Sequence, residues 1–191
     1  MIDLWVERAD GRGSSPHTWL RERVAGSLGV EPDDVPLRVD DGGALSLSGM
    51  ARQLSLSHHR DWLALALSTG EPVGVDVLTV PDGAEFVADT GLVLSPDEIE
   101  FVRSSPPARR GAVFAECWVR KEAYAKLRRT GLTAELPGMT LSPVPVRTSG
   151  MVFWTARIED ALVSVSTIGS RAPEIRLRSG HACAPPEGDL A

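Results

Sequence analysis

Apolar residues recur at helical spacing in one early segment of the chain. Leu20, Val24 and Leu28 are four residues apart and follow Ser15-Pro16, a pair typical of a helix N-cap and its first turn. Gly29 comes directly after the last of them, where a glycine commonly ends a helix. The pattern therefore predicts a helix between Ser15 and Gly29.

Two further helices are predicted later in the chain. Ser95-Pro96-Asp97-Glu98 has the form of a capping box ahead of an apolar run, which predicts a helix from there. A longer helix is expected to start near 105–107, to run to about Arg129 and to stop at Gly131. Alternation and turn residues predict strands elsewhere, at 37–39, 44–47, 54–57, 63–68, 73–80, 139–141, 151–158, 161–168 and 174–177.

The order of these elements indicates a duplicated architecture. A helix followed by strands occurs in residues 15–68 and again in 95–178. We therefore predict an α+β fold of two similar α/β halves related by a pseudo-twofold axis, with a site in the cleft between them. The halves are expected at residues 1–72 and 73–180, and the Pro/Gly-rich residues 181–191 are expected to form a flexible tail.

Composition narrows the function classes. The 191 residues carry a net charge of −6, which argues against a general nucleic-acid binder. The longest apolar run, 62–67, is far shorter than the ~20 residues of a membrane span. The first residues lack the basic start and apolar centre of a signal peptide, and two cysteines make no disulfide framework. The chain is thus expected to be cytoplasmic and monomeric, without a membrane or nucleic-acid partner.

The longest predicted helix has two charged residues on its apolar face. That face starts with aromatic and apolar residues and continues with Lys121 and Glu122. A carboxylate brought toward the core needs a cationic partner or a metal ion. The alternative is that Glu122 and Lys126 form an ordinary surface ion pair one helical turn apart.

The strand at 73–80 offers a second carboxylate. Asp76 stands alone among apolar residues, where aspartate is disfavoured. It either caps a neighbouring loop or shares a hard cation with Glu122, since Mg²⁺ takes one or two carboxylates plus phosphates and waters. Ser57-His58, at the end of another strand, either donates to a phosphate or is merely solvated.

Three ordered motifs stand out: LSLSHHRDWLALALS from Leu54, PVGVDV from Pro72, and the helical W-x-x-K-E-A-x-x-K from Trp118 to Lys126. Together they cover residues 54–131 and resemble the Sfp-type 4′-phosphopantetheinyl transferases. The resemblance implies two α/β halves with coenzyme A in the cleft, and transfer of its 4′-phosphopantetheine arm to a serine of an apo acyl or peptidyl carrier protein. Adenosine 3′,5′-bisphosphate would be released.

The resemblance also implies site residues. Asp76 and Glu122 would hold Mg²⁺, and Glu122 and Lys126 would be catalytic. The residues that would bind coenzyme A are Ser57, His58, Lys121, Lys126 and Arg21. The carrier proteins of such enzymes are typically acidic, so we expect an arginine cluster to flank the cleft, formed by Arg109, Arg110, Arg120, Arg128 and Arg129.

Several positions depart from the family pattern. The family strand usually reads G-V-D-V-E, with a second carboxylate where this chain has Leu78. We expect Leu78 to project from the same strand face as Asp76, which leaves a functional but weakened metal site. A Gly-Lys-Pro element is absent, and residues 43–45 take its place. Two alternatives therefore stay open: an impaired relative that binds coenzyme A or a carrier protein without efficient transfer, and an unrelated α+β domain.

Overall fold

The computed structural model describes residues 1–9, 15–80, 93–131, 135–142 and 150–178. Within these ranges the chain forms a mixed α/β fold with three α-helices. The helices are α1 (Pro16–Leu28), α2 (Pro96–Ser104) and α3 (Arg110–Arg128). The strands are β1 (Ile2–Arg8), β2 (Leu37–Val39), β3 (Leu45–Leu47), β4 (Gln53–His59), β5 (Trp62–Ser68), β6 (Val73–Thr79), β7 (Met151–Ile158), β8 (Ala161–Ile168) and β9 (Ile175–Leu177).

The longer strands belong to two sheets. The first sheet has the order β4-β5-β1-β9, and the second has the order β6-β8-β7. Strand β1 pairs antiparallel with β5 and parallel with β9, whereas every pair in the second sheet is antiparallel. Strands β2 and β3 form a separate antiparallel hairpin. As a result, β4 and β6 are edge strands of different sheets.

The two sheets pack face to face around a shared apolar core, helices α1 and α3 lie on their outer faces, and α2 packs against α3. The core contains apolar residues from β1, β5, β6 and β8. A second cluster joins α1 to the outer face of the first sheet, with Trp19, Leu20 and Val24 of the helix against Leu63 and Leu65 of β5. Helix α3 lies against the outer face of the second sheet, where Ser166 Oγ donates to the Ala123 carbonyl at 2.8 Å.

Glycine at position 74 is what lets α3 approach β6 so closely. A Cβ atom built on Gly74 lies 2.5 Å from the Leu127 amide nitrogen and closer still to the Ala123 carbonyl oxygen. No side chain fits at that distance, so the glycine of the PVGVDV motif fixes the contact between helix and strand. The next residue on the same face of β6 is Asp76, which this contact brings beside α3.

Most of the predicted elements are confirmed. Helix α1 has Ser15 as its N-cap and ends at Gly29, which adopts the left-handed conformation with φ 71°. The capping box of Ser95 and Glu98 is present at the start of α2. The strands predicted at 37–39 and 44–47 also form, and they pair with each other as an antiparallel hairpin.

Other predictions are wrong or fall outside the described ranges. Helix α3 begins at Arg110, after a 3₁₀ turn at Pro107–Arg109, and it runs to Arg128, close to the predicted end near Arg129. Its cap is Arg129 in the left-handed conformation, not the predicted Gly131. Residues 139–141 are not a strand; they follow a short 3₁₀ turn at Leu136–Gly138. Strand β1 is absent from the prediction: Ile2, Leu4 and Val6 share one face, but the apolar Trp5 on the face of Asp3 and Glu7 interrupts the alternation. The tail at 181–191 lies outside the described residues.

The division into two halves stays a prediction. Its boundary at 72–73 lies in the turn before β6, but both halves contribute to the core between the sheets. Strand β9 of the second half also pairs with β1 of the first. Within the described ranges, no helix is both long enough and apolar enough to cross a membrane.

Candidate functional site

Asp76 is a buried carboxylate at the centre of β6. Its side chain is on the α3 face of the strand, whereas Val75 and Val77 face the core. One oxygen, Oδ1, accepts two hydrogen bonds: from Ser57 Oγ at 2.7 Å and from Lys126 Nζ at 2.7 Å. Asp76 is therefore neither a loop cap nor a solvated edge residue. It joins β4, β6 and α3.

Glu122 approaches the same place from α3. Burial raises the pKa of its carboxyl above the usual value, and the charge of Asp76 raises the pKa further. Lys126, one turn along the helix, lowers it in part. Glu122, Asp76 and Lys126 line one recess, so Glu122 belongs to a cluster of two carboxylates and one ammonium group that joins β6 to α3. The alternative of an isolated surface pair between Glu122 and Lys126 does not describe this arrangement.

The three charged side chains line an open recess of about 380 Å³ between β4, β6 and α3. A neighbouring recess of about 290 Å³ shares Glu122 and Lys126 with it. Residues 42–45 of the β2–β3 hairpin line this second recess, and they include residues 43–45, which the sequence predicts in the place of the Gly-Lys-Pro element. The two recesses adjoin and together form a groove along the C-terminal half of α3.

The carboxylates suit a hard divalent cation bound together with an anionic substrate. Two carboxylates of like charge, partly withdrawn from water, repel each other, and a cation between them removes that cost. Mg²⁺ commonly takes only one or two protein carboxylates and completes its shell with waters and substrate phosphates. No group of three or more His, Cys, Asp or Glu residues with metal-site geometry occurs in the described ranges. A donor set of two carboxylates fits a cation whose remaining ligands are waters and substrate phosphates.

Leu78 lies where the strand register predicts. It lines the 380 Å³ recess together with Asp76 and Glu122, and it is half-buried there. An apolar side chain thus occupies the wall in which the family pattern has a second carboxylate on this strand. Trp118 lines the same recess from α3, and its ring lies 5.7 Å from the Phe114 ring.

Ser57 and His58 lie at the recess but differ in exposure. Ser57 is 4% exposed, and its hydroxyl is engaged with Asp76. His58 is exposed and lines the recess. Of this pair, His58 is the side chain presented to an incoming ligand.

The structure does not bring Lys121 or Arg21 to the site. Lys121 is fully buried and donates to the carbonyls of Val93 and Leu136 at 2.7 and 2.6 Å. Its third partner is the buried carboxylate of Glu98, at 2.8 Å. Arg21 donates to two backbone carbonyls on the far side of α1 and lines neither recess. Both cations thus hold the fold together, so their assignment to coenzyme A is not supported by their positions.

The predicted arginine cluster is also divided. Arg120 is 5% exposed and is bound by Glu116, the Leu141 carbonyl and the Ser142 hydroxyl. The remaining four arginines lie in two pairs at opposite ends of α3, which are Arg109 with Arg110 and Arg128 with Arg129. Arg129 lines the smaller recess. The C-terminal pair is therefore the one beside the groove.

A set of hydrogen bonds between β4 and β6 is missing from the sequence predictions. Three outward amides of the β6 edge donate to side chains of β4: Val75 N–H to Ser55 Oγ at 3.1 Å, Val77 N–H to Ser57 Oγ at 3.4 Å, and Thr79 N–H to His59 Nδ1 at 3.1 Å. Each pair is separated by the same 20 residues. These contacts, called here the inter-sheet ladder, join the two sheets at the recess. The alternation of Ser55, Ser57 and His59 on one strand face is the signal in the sequence.

Comparison with known proteins identifies the family of the chain. The family model described as the 4′-phosphopantetheinyl transferase superfamily matches residues 72–175, which contain Asp76, Leu78, Glu122 and Lys126. A 4′-phosphopantetheinyl transferase AcpT of Salmonella typhi is 30% identical over 111 residues, or 58% of each chain.

Two relatives from Bacillus are similar over shorter or more divergent regions. The 4′-phosphopantetheinyl transferase psf-1 of Bacillus pumilus is 33% identical over 45% of this chain and 36% of its own length. A 4′-phosphopantetheinyl transferase of Bacillus subtilis is 22% identical over 64% of this chain and 54% of its own. The chain therefore spans less than two thirds of these relatives. The family predicted from the three motifs is confirmed, and the chain belongs to the 4′-phosphopantetheinyl transferase superfamily.

Proposed function

We propose that this protein transfers the 4′-phosphopantetheine arm of coenzyme A to a serine of an apo acyl or peptidyl carrier protein. The observation that carries the proposal is the convergence of Asp76, Glu122 and Lys126 in one open recess. Two carboxylates and an ammonium group are what a pyrophosphate-cleaving site with a divalent cation needs. Adenosine 3′,5′-bisphosphate would leave as the second product.

The two carboxylates would hold Mg²⁺ against the pyrophosphate of coenzyme A. When bound, the ion would withdraw charge from the phosphate oxygens and favour departure of the adenosine bisphosphate. Lys126 reaches the recess with a side chain that is 30% exposed, so its ammonium is able to pair with a phosphate oxygen as well as with Asp76. His58, exposed at the recess, is the candidate donor to the 3′-phosphate end.

Glu122 is the candidate general base. In the transfer step the carrier serine oxygen forms a bond to the phosphorus of the arm, while the bond from that phosphorus to the bridging oxygen breaks. The serine proton must leave at the same time, and the carboxylate of Glu122 at the recess is the candidate acceptor. The proton goes to Glu122 or to a base that Glu122 orients, and the electron pair goes to the leaving bisphosphate.

A second candidate function is binding of coenzyme A or a carrier protein with little transfer. Leu78 favours this alternative, since a leucine cannot ligate a metal ion. Losing even an outer partner of a metal ligand commonly costs about 10–100-fold in affinity or activity. The two functions predict different results when coenzyme A, Mg²⁺ and an apo carrier protein are all present: the first predicts a modified carrier, and the second predicts binding with little modification.

Intact-mass spectrometry of an apo carrier protein tests the proposal. We expect added phosphopantetheine when coenzyme A and Mg²⁺ are both present, and none when EDTA replaces Mg²⁺ or when the acceptor serine of the carrier is changed to alanine. Binding of coenzyme A is measured in parallel by calorimetry. Binding without mass addition would support the second candidate, and the absence of both would contradict each of them.

A further inference from the structure

We propose that Ser57 is a positioning residue that orients Asp76 for a cation, rather than a direct contact of the substrate. This inference rests on the proposed function in one respect, namely that Asp76 holds the divalent ion. It changes the role that the serine–histidine motif suggests for Ser57 and leaves His58 as the exposed member of the pair.

The hydrogen bonds at Asp76 carry the argument. Both donors, Ser57 Oγ and Lys126 Nζ, contact the same oxygen, Oδ1, at 2.7 Å. Among the described residues no hydrogen bond reaches Oδ2. A carboxylate with one oxygen fixed and the other free of protein donors has a single oxygen ready for a metal ion, in an orientation set before the ion arrives. Metal-ligating carboxylates in proteins are commonly held by such outer hydrogen bonds.

Ser57 is itself held in place. Its hydroxyl oxygen accepts a hydrogen bond from the Val77 amide at 3.4 Å, and its hydroxyl group donates one to Asp76. A single side-chain rotamer therefore makes both the contact of the inter-sheet ladder and the contact to the carboxylate. With 4% exposure, the side chain has little surface left for a substrate. The position of Asp76 is thereby tied to the contact between the two sheets, since Ser57 is on the first and Asp76 on the second.

Ser55 provides a matched control on the same strand. Its hydroxyl accepts the Val75 amide at 3.1 Å, as the neighbouring rung of the ladder. It is buried to a similar extent as Ser57, at 8% exposure, and no bond from it to a carboxylate occurs among the described residues. Ser55→Ala and Ser57→Ala therefore each remove one rung, but only Ser57→Ala removes the donor to Asp76.

The test is titration of the full chain with Mn²⁺, with and without coenzyme A, following the free ion by electron paramagnetic resonance. We expect Ser57→Ala to weaken Mn²⁺ binding by about tenfold, with Ser55→Ala within about twofold of the unmodified protein. Ser57→Thr, which keeps the hydroxyl, should restore most of the affinity. Thermal unfolding of both alanine variants shows whether the loss of one hydrogen bond of the inter-sheet ladder destabilises the protein equally in the two cases.

Three results would overturn the inference, and they are distinguishable. Unchanged Mn²⁺ binding in Ser57→Ala would remove the positioning role and leave the proposed function standing. Equal weakening in both alanine variants would assign the effect to the inter-sheet ladder as a whole. Failure of the unmodified protein to bind Mn²⁺ even with coenzyme A would remove the cation site itself, and with it the metal-dependent part of the proposed function.

Discussion

Lys126 of α3 and Asp76 of β6 form an ion pair in which Nζ and Oδ1 are 2.7 Å apart and the two partners differ in exposure. The lysine side chain is 30% exposed, whereas that of the aspartate is 8% exposed. An anionic substrate is therefore able to reach the ammonium group while the carboxylate stays fixed behind it. The ammonium group of Lys126 also reduces the negative charge of the cluster, because it offsets one of the two carboxylates.

Leu78→Glu should strengthen the cation site. Leu78 lines the same recess as Asp76 and Glu122, so a carboxylate there adds a ligand where the family pattern has one. We expect the Mg²⁺ concentration for half-maximal transfer to fall by about tenfold. Thermal unfolding checks that the new charge is tolerated at this half-buried position. An unchanged Mg²⁺ requirement in a folded variant would argue that position 78 does not face the ion.

Gly74→Ala should separate α3 from β6. The added methyl group meets the backbone of Ala123 and Leu127, which cannot move without shifting the helix. We expect a loss of about 1–3 kcal/mol in the free energy of unfolding, together with reduced activity, because Asp76 and Glu122 move apart. Gly70→Ala is the control, since a Cβ there meets nothing within 4 Å. Equal stability of the two variants in urea would contradict the close contact.

His59 should make the stability of the protein depend on pH. Burial lowers the pKa of His59, the charges of Arg60 and His58 lower it further, and Asp76 opposes them. Neutral Nδ1 accepts the Thr79 amide, and protonation removes that acceptor.

Because the folded-state pKa of His59 lies below the unfolded value of about 6.5, the stabilisation is complete above that pH and is lost as the pH falls through the folded-state pKa. Urea unfolding of the unmodified protein and of His59→Gln, from about pH 7.5 to about pH 5, measures this contribution. The stability difference between the two proteins should shrink on acidification. A difference that stays constant across the series would exclude the titration.

Arg128→Glu should weaken recognition of an acidic carrier protein. Arg128 is exposed at the end of α3 beside the groove, and Arg109 is exposed at the opposite end, about 28 Å away along the helix. We expect the KM for the carrier to rise several-fold in Arg128→Glu, with less effect at high salt and none on the affinity for coenzyme A. Arg109→Glu should leave the KM for the carrier nearly unchanged. Equal effects of the two reversals would argue against a localised docking surface.

The local elements were predictable from the sequence because their signals are local. The N-cap at Ser15, the capping box at Ser95 and the alternation of β4 each depend on a few neighbouring residues. Strand β1 was missed because Trp5, an apolar residue on the face of Asp3 and Glu7, interrupts its alternation. The end of α3 near Arg129 was predicted, but its cap was not, since the cap is a left-handed arginine and not the expected Gly131.

The site was predictable in part. The sequence motifs identify Asp76, Glu122 and Lys126 as candidates, and the structure places these three side chains together. The sequence does not distinguish a lysine that faces the recess from one that faces the interior. Lys121 and Lys126 belong to one motif, yet Lys121 neutralises Glu98 in the core. That distinction depends on which elements pack around the helix, and so on contacts far apart in the sequence.

Glu122→Gln, measured by intact mass of an apo carrier protein with coenzyme A and Mg²⁺, tests the central claim most directly. The substitution keeps the size of the side chain and removes its charge, so the metal ligand and the candidate base are lost together. We predict at least about a 100-fold loss of transfer with the fold retained. Glu100→Gln on α2, where Glu100 is exposed and lines neither recess, should transfer at close to the normal rate. Near-normal turnover in Glu122→Gln would contradict the assignment of Asp76 and Glu122 as the catalytic metal pair.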